Sequence, residues 1–141
     1  VARTSIDILT SVDQAWSGLQ LLLTWEGVAG IQDLRAPQLD PVGNLLAFRF
    51  AMDTALGRVN GRANVSSNKP GMTIRAEQKG IAITLQVALL GNGDSTMARV
   101  EASARATSFM STALVIPLNA LLENSIESEA AKIGQRVAGL D

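Results

Sequence analysis

Histidine, cysteine and tyrosine are absent from this chain, so proton transfer, nucleophilic attack and metal binding would fall to carboxylates, lysines and hydroxyls. Carboxylate chemistry needs two acids converging in one pocket. Strand alternation instead sends Asp7, Glu77 and Glu101 to polar faces, and Asp53 and Asp94 fall in or beside turns. Glu123, Glu127 and Glu129 read as a solvated helix face. Asn92-Gly93-Asp94 is too short for a calcium loop and reads as a hairpin turn. No catalytic set, metal site or cofactor site emerges. Two polar residues do share apolar strand faces: Gln78 with Met72, Ile74 and Ala76, and Thr96 with Ala98 and Val100. Each could orient a carbonyl or hydroxyl of a bound molecule. Each also sits near a strand end, where water can satisfy it.

The elements that would position these residues alternate apolar and polar from Asn44 to Ala106, then end in one amphipathic helix. Arg3–Leu9 predicts a first strand. Ser11 and Gln14 form a capping box for a helix from Val12 to about Leu22, whose apolar side carries Val12, Ala15, Trp16, Leu19 and Leu23. Gly27 and Gly30 leave room for at most a short second helix over Thr24–Ala29. Strands are then expected at Ile31–Arg35, Asn44–Asp53, Arg58–Ser66, Met72–Lys79, Ile81–Leu90 and Thr96–Thr107. Within Asn44–Asp53, Leu46, Phe48, Phe50 and Met52 share a face. The closing helix is placed from Pro117 to Ala138, with Leu118, Leu122, Ile126, Ala130, Ile133 and Val137 as its apolar stripe. A start near Ser111 with a kink at Pro117 is the alternative.

Short turns between regular strands argue an antiparallel meander, and 141 residues suit a single domain. The inner face is unusually small: Gly61, Ala63, Ala76, Ala98, Ala102, Ala104 and Ala106. Under a long helix such a face either packs very close or leaves a cavity; the cavity is the expectation. The net charge of −1, with both signs interspersed, gives no footprint for nucleic acid. No Lys/Arg run is dense enough to act as a polybasic anchor. Absence of cysteine is compatible with a cytoplasmic location.

Ser11-Val12-Asp13-Gln14-Ala15-Trp16, Gly27-Val28-Ala29-Gly30-Ile31 and Leu56-Gly57-Arg58-Val59-Asn60-Gly61-Arg62-Ala63, in this order of elements, resemble the START-like helix-grip (SRPBCC, polyketide cyclase-like) superfamily. Within it, the last run is similar to the G-type accessory protein of carbon monoxide dehydrogenase and its relatives. The chain departs from the superfamily in having Thr10-Ser11 where a proline often precedes the first helix. The resemblance implies an α+β helix-grip fold. A curved antiparallel sheet of about seven strands would wrap a long C-terminal helix, with one or two short helices after the first strand. It implies one ligand-binding domain over residues 1–141 that holds an apolar molecule (lipid, quinone or polyketide-like) between sheet and helix; since no polar set matches that of the superfamily's cyclases and dehydratases, carriage without catalysis is the expectation.

The expected lining is Trp16, Trp25, Phe48, Phe50, Met52, Val59, Gly61, Ala63, Met72, Ile74, Gln78, Leu85, Val87, Ala102, Ala104, Leu118 and Leu122. Leu56, Met110 and Leu114 are the expected contacts with a redox-enzyme partner or a membrane surface. That partner is the second reading: an accessory subunit that matures or docks a redox enzyme, placed in the cytoplasm or at the membrane periphery. A cyclase- or dehydratase-like enzyme is the third.

Overall fold

The computed structural model describes residues 1–54 and 57–139, and its elements follow the predicted order. Strand β1 (Ala2–Ile8) leads to helix α1 (Val12–Leu19) and two 3-10 turns, Leu22–Trp25 and Val28–Gly30. Strands β2 (Gln32–Leu39), β3 (Leu45–Thr54), β4 (Gly57–Asn68), β5 (Gly71–Gln78), β6 (Ile81–Asn92) and β7 (Ser95–Ala106) follow. A 3-10 turn at Phe109–Ser111 then delivers the chain to helix α2 (Thr112–Val137). The seven strands form one antiparallel sheet in the order β1-β7-β6-β5-β4-β3-β2, a meander whose first strand closes against its last. This is the helix-grip arrangement that the resemblance implies.

Helix α1 starts where its cap predicts: the Ser11 hydroxyl accepts a hydrogen bond from the Gln14 amide at 3.2 Å. It stops at Leu19, short of the expected Leu22. Thr24 and Trp25 fold back and donate to the terminal carbonyls of Gly18 and Leu19, at 2.7 and 2.9 Å, while the chain winds into the tighter 3-10 turn. That change of winding moves Leu23 off the α1 stripe, and it is exposed. In β3 the expectation for Leu46 is also corrected. Leu39 pairs with Leu45 while Gln38 pairs with Ala47, so β3 carries one extra residue. A bulge of one residue exchanges faces, which buries Leu45 and turns Leu46 outward.

Helix α2 begins at Thr112, so the alternative start holds and Pro117 lies inside the helix. Proline removes the bond that would close on the Ala113 carbonyl. The expected stripe is otherwise correct: Leu122, Ile126, Ala130, Ile133 and Val137 are buried and Leu118 is half-buried. The helix lies mainly over β1 and β7, and small residues set how close it comes. A side chain at Gly134 would meet the Ile6 tip at 2.8 Å, and one at Gly18 would meet Val137 at 3.1 Å.

Space expected above β4 is also filled. A Cβ at Gly61 would collide with the Phe50 ring and lie 2.5 Å from the Glu77 carbonyl, so Phe50 occupies the volume that glycine vacates. Large residues face small ones elsewhere on the concave side, as in Phe48 opposite Ala63, Ala76 opposite Ile83 and Leu85 opposite Ala102.

One helix side chain joins the sheet ladder. Pairing of β1 with β7 ends at Ala2–Ala102, leaving the next stretch of that β7 edge open. There the Asn119 amide accepts from the Ala104 N–H at 3.0 Å and donates to the Ala104 carbonyl at 2.8 Å, as a strand residue would. Asn119→Ala strips both partners from a part-buried backbone group and lowers unfolding free energy by about 1–3 kcal/mol in a urea titration. Asn119→Asp does not restore it, because the donor becomes an acceptor facing the Ala104 oxygen.

At the N-terminal end of α1, Lys69 in the β4–β5 turn hydrogen-bonds Asp13. That bond first, and the ammonium charge second, hold the Asp13 carboxyl below the usual carboxylate range. The pair is exposed and contributes little to stability. Its contribution is complete above the ordinary carboxylate pKa and is lost as the pH falls through the lowered one. Lys69→Ala raises the Asp13 titration midpoint followed by NMR and leaves the neutral-pH melting temperature nearly unchanged.

Candidate functional site

Between the N-terminal half of α2 and the ends of β3, β5 and β6 runs an apolar groove. Its larger lobe, about 220 Å³, is lined by Met52, Asp53, Thr54, Gln78, Ile81, Leu114, Pro117, Leu118 and Leu121. A second lobe of about 160 Å³ continues it past Ala29, Gly30, Leu122, Ser125 and Glu129, and shares Met52, Asp53, Leu118 and Leu121 with the first. Together they reach the lower end of the range for small-molecule pockets, ~300–1,000 Å³. The Gln78 amide nitrogen meets the Met52 sulfur at 3.5 Å, and a thioether is a weak acceptor. A carbonyl or hydroxyl placed in the groove would be a stronger partner. Asp53 on the rim is engaged on both oxygens, by Arg58 at 3.3 Å and Gln32 at 3.0 Å.

The wall of the smaller lobe is a strained turn held by α2. Gly27, Ala29 and Gly30 all have positive φ, and for alanine, at 54°, that conformation costs on the order of 1–2 kcal/mol. Glu129 offsets it by accepting the Ala29 N–H at 3.2 Å. Lys132 donates to the Gly27 carbonyl at 3.4 Å, and Arg136 donates to Thr24 and Glu26 carbonyls at 3.1 and 2.5 Å. The three side chains recur at helical spacing and grip one backbone segment. Glu129, expected on a solvated face with Glu123 and Glu127, is therefore a structural acceptor, its side chain only 16% exposed. Its spacing from Lys132 and Arg136 was the available signal; the rotation of α2 that aims it at Ala29 was not.

Of the expected lining, Met52, Gln78, Leu118 and Leu122 meet in the groove. Trp25, Phe48, Phe50, Ala63, Met72, Ile74, Leu85, Val87, Ala102 and Ala104 are buried in the continuous core, and Trp16 and Val59 pack at its margin. Gly61 lies beneath Phe50. Thr96 is fully buried and donates to the Thr10 carbonyl at 2.8 Å, so protein rather than water satisfies it. Of the expected contact residues, Leu114 is half-buried on the groove wall; Leu56 and the Met110 side chain lie outside the described residues. Among the described residues no cluster of acidic side chains could hold a metal ion.

No protein-family model matches the chain, and no curated protein matches it in sequence. Solved structures match it along its length. A START superfamily protein from Mycobacterium smegmatis superposes with a TM-score of 0.72 at 12% identity, over 99% of this chain and 98% of the other. An aromatase/cyclase, Zhui, from a Streptomyces species gives 0.60 at 12% identity, over 98% and 90%. A norcoclaurine synthase from Thalictrum flavum gives 0.55 at 13%, over 96% and 91%. The fold is thus the START-like helix-grip fold.

Glu129→Ala frees the Ala29 N–H. Hydrogen exchange at Ala29 accelerates about tenfold or more, as loss of a charge-assisted bond worth about 1.5–3 kcal/mol requires. Glu129→Gln keeps an acceptor and stays near the parent protein.

Proposed function

We propose that this chain binds an apolar small molecule carrying one carbonyl or hydroxyl, and that it does so without catalysis. The carrying observation is the groove itself: apolar on its walls, with the Gln78 amide turned to a thioether where a ligand oxygen would bind better. Its size suits a single ring system or a short acyl chain. A lipid, quinone or polyketide-like ligand would place its polar end at Gln78 and its apolar body along Leu118. The fold supports this reading, since the START-like resemblance implies a ligand held between sheet and helix.

The non-catalytic part rests on the carboxylates. Asp53 and Glu129 both line the smaller lobe, but Arg58 and Gln32 hold the first while the Ala29 N–H and Lys132 hold the second. Both carboxylates are thus already engaged by protein partners. The cyclase- or dehydratase-like reading needs an unengaged one.

Titration with an apolar environment-sensitive dye, with mass spectrometry of extracted ligand, tests the proposal. Leu118→Trp fills the larger lobe and weakens dye binding about tenfold or more at an unchanged melting temperature. Gln78→Leu weakens only ligands that carry the oxygen. Parent-like affinity in Leu118→Trp removes the groove from consideration.

A second reading, an accessory protein docking a redox enzyme such as a carbon monoxide dehydrogenase, is favoured by one observation. Phe109 and Ile116 are 91% and 73% exposed next to the groove, where a contact was expected around Met110 and Leu114. Among the described residues no helix is long and apolar enough to cross a membrane.

A further inference from the structure

The convex face of the sheet carries a charge pattern that appears only once the strands are in register. Arg35 of β2 pairs with Arg49 of β3, and Arg49 pairs with Arg62 of β4, so three arginines stand side by side across neighbouring strands. Like charges directly opposite on a sheet are destabilising. Carboxylates on this face do not relieve them. Arg58 takes both Asp33 and Asp53, and Arg75 takes Glu77, the residue opposite Arg62. Among the described residues no ion pair reaches Arg35, Arg49 or Arg62. Arg35 instead reaches across β3 to the Asn60 amide oxygen at 3.3 Å, and all three side chains are exposed.

The same two strands end in an apolar tip. Leu39, Val42 and Leu46 are 55%, 82% and 44% exposed, and Pro41 stands between the first two. Asp40 makes the tip rigid: its Oδ1 accepts from Val42 and Asn44 N–H groups at 3.0 and 2.8 Å, and its own N–H donates to the Asn44 carbonyl at 2.9 Å. The arginines lie roughly 10–13 Å back along the strands from Leu46 and Leu39. An apolar element enters a bilayer to about 5–10 Å below the headgroup boundary. The set-back exceeds that depth by a few ångströms, which the reach of an arginine side chain spans to bring its guanidinium to the lipid phosphates.

We infer that the β2–β3 hairpin and the Arg35–Arg49–Arg62 row form a docking surface for an anionic lipid bilayer, with Leu39, Val42 and Leu46 inserted and the guanidinium groups on phosphates. A nucleic-acid duplex offers no place for the apolar tip, and a second copy of this chain presents the same charge. The hairpin tip is at the opposite end of β3 from Met52, and Arg49, midway along the strand, is exposed where Met52 is buried.

The test is co-sedimentation of the whole chain with vesicles of phosphatidylcholine alone or mixed with phosphatidylglycerol. The protein binds the anionic mixture and not the neutral lipid, and added salt releases it. Arg49→Gln and Arg62→Gln each weaken partitioning about fivefold. Val42→Asp, at a solvated position, removes most of the binding, while Ile116→Asp leaves it intact; thermal melts confirm that each variant is folded. Equal binding to neutral vesicles, no binding to anionic ones, or indifference to both arginine substitutions overturns the inference. So does loss of binding in Ile116→Asp, which moves the contact to α2. Retention of duplex DNA without vesicle binding assigns the arginines to nucleic acid instead and equally overturns it.

Discussion

Helix α2 keeps its place because the strand beneath it offers alanine side chains and an open backbone edge. The alanines of β7 let the helix come close, and the Asn119 amide then occupies the ladder position that β1 leaves empty beyond Ala2. Close approach and hydrogen bonding depend on each other: a bulkier residue at 102 or 104 would lift Asn119 out of reach. With the helix fixed over β1 and β7, the other strands curve past it, and the bend is tolerated where large side chains meet small ones, Phe50 over Gly61 above all.

The two halves of α2 do different work. Its C-terminal half carries Glu129, Lys132 and Arg136 to the backbone between Thr24 and Ala29, and thereby holds a turn that includes a left-handed alanine. Its N-terminal half is held through the Asn119 clasp, and the turns before Asn119 carry no such anchor among the described residues. That half has no charged residue between Arg105 and Glu123 and borders the groove instead of sealing it. The groove thus borders the first turns of the helix, where local stability can be low without loss of the fold.

Alternation made most of the sheet legible, because one face of each strand from β3 to β7 meets the core and the other meets water. Strand β2 was read too short: Asp33 and Ala36 have positive φ and its register against β3 shifts repeatedly, so no period survives in its sequence. The Leu46 bulge was invisible for a related reason, since Leu45 and Leu46 are equally apolar and only pairing decides which turns inward. Gln78, Met52, Leu118 and Leu122, which meet in the groove, were legible in the sequence as members of the apolar strand faces and of the helix stripe. The glycine and alanine face was legible as small but not as filled, because the filling groups come from neighbouring strands. The arginine row was hidden altogether: its members lie far apart along the chain and become neighbours only through β-register.

Pro117 gives the less anchored end of α2 a defined seam. One rung of the helical ladder is already missing there, at the border of the groove, so swinging residues 112–116 outward breaks fewer backbone bonds than the same motion in an uninterrupted helix. The Asn119 clasp on β7 lies just beyond that seam and limits how far the motion spreads. A guest molecule in the groove would then have only this short segment to displace, and could exchange without unfolding of the sheet.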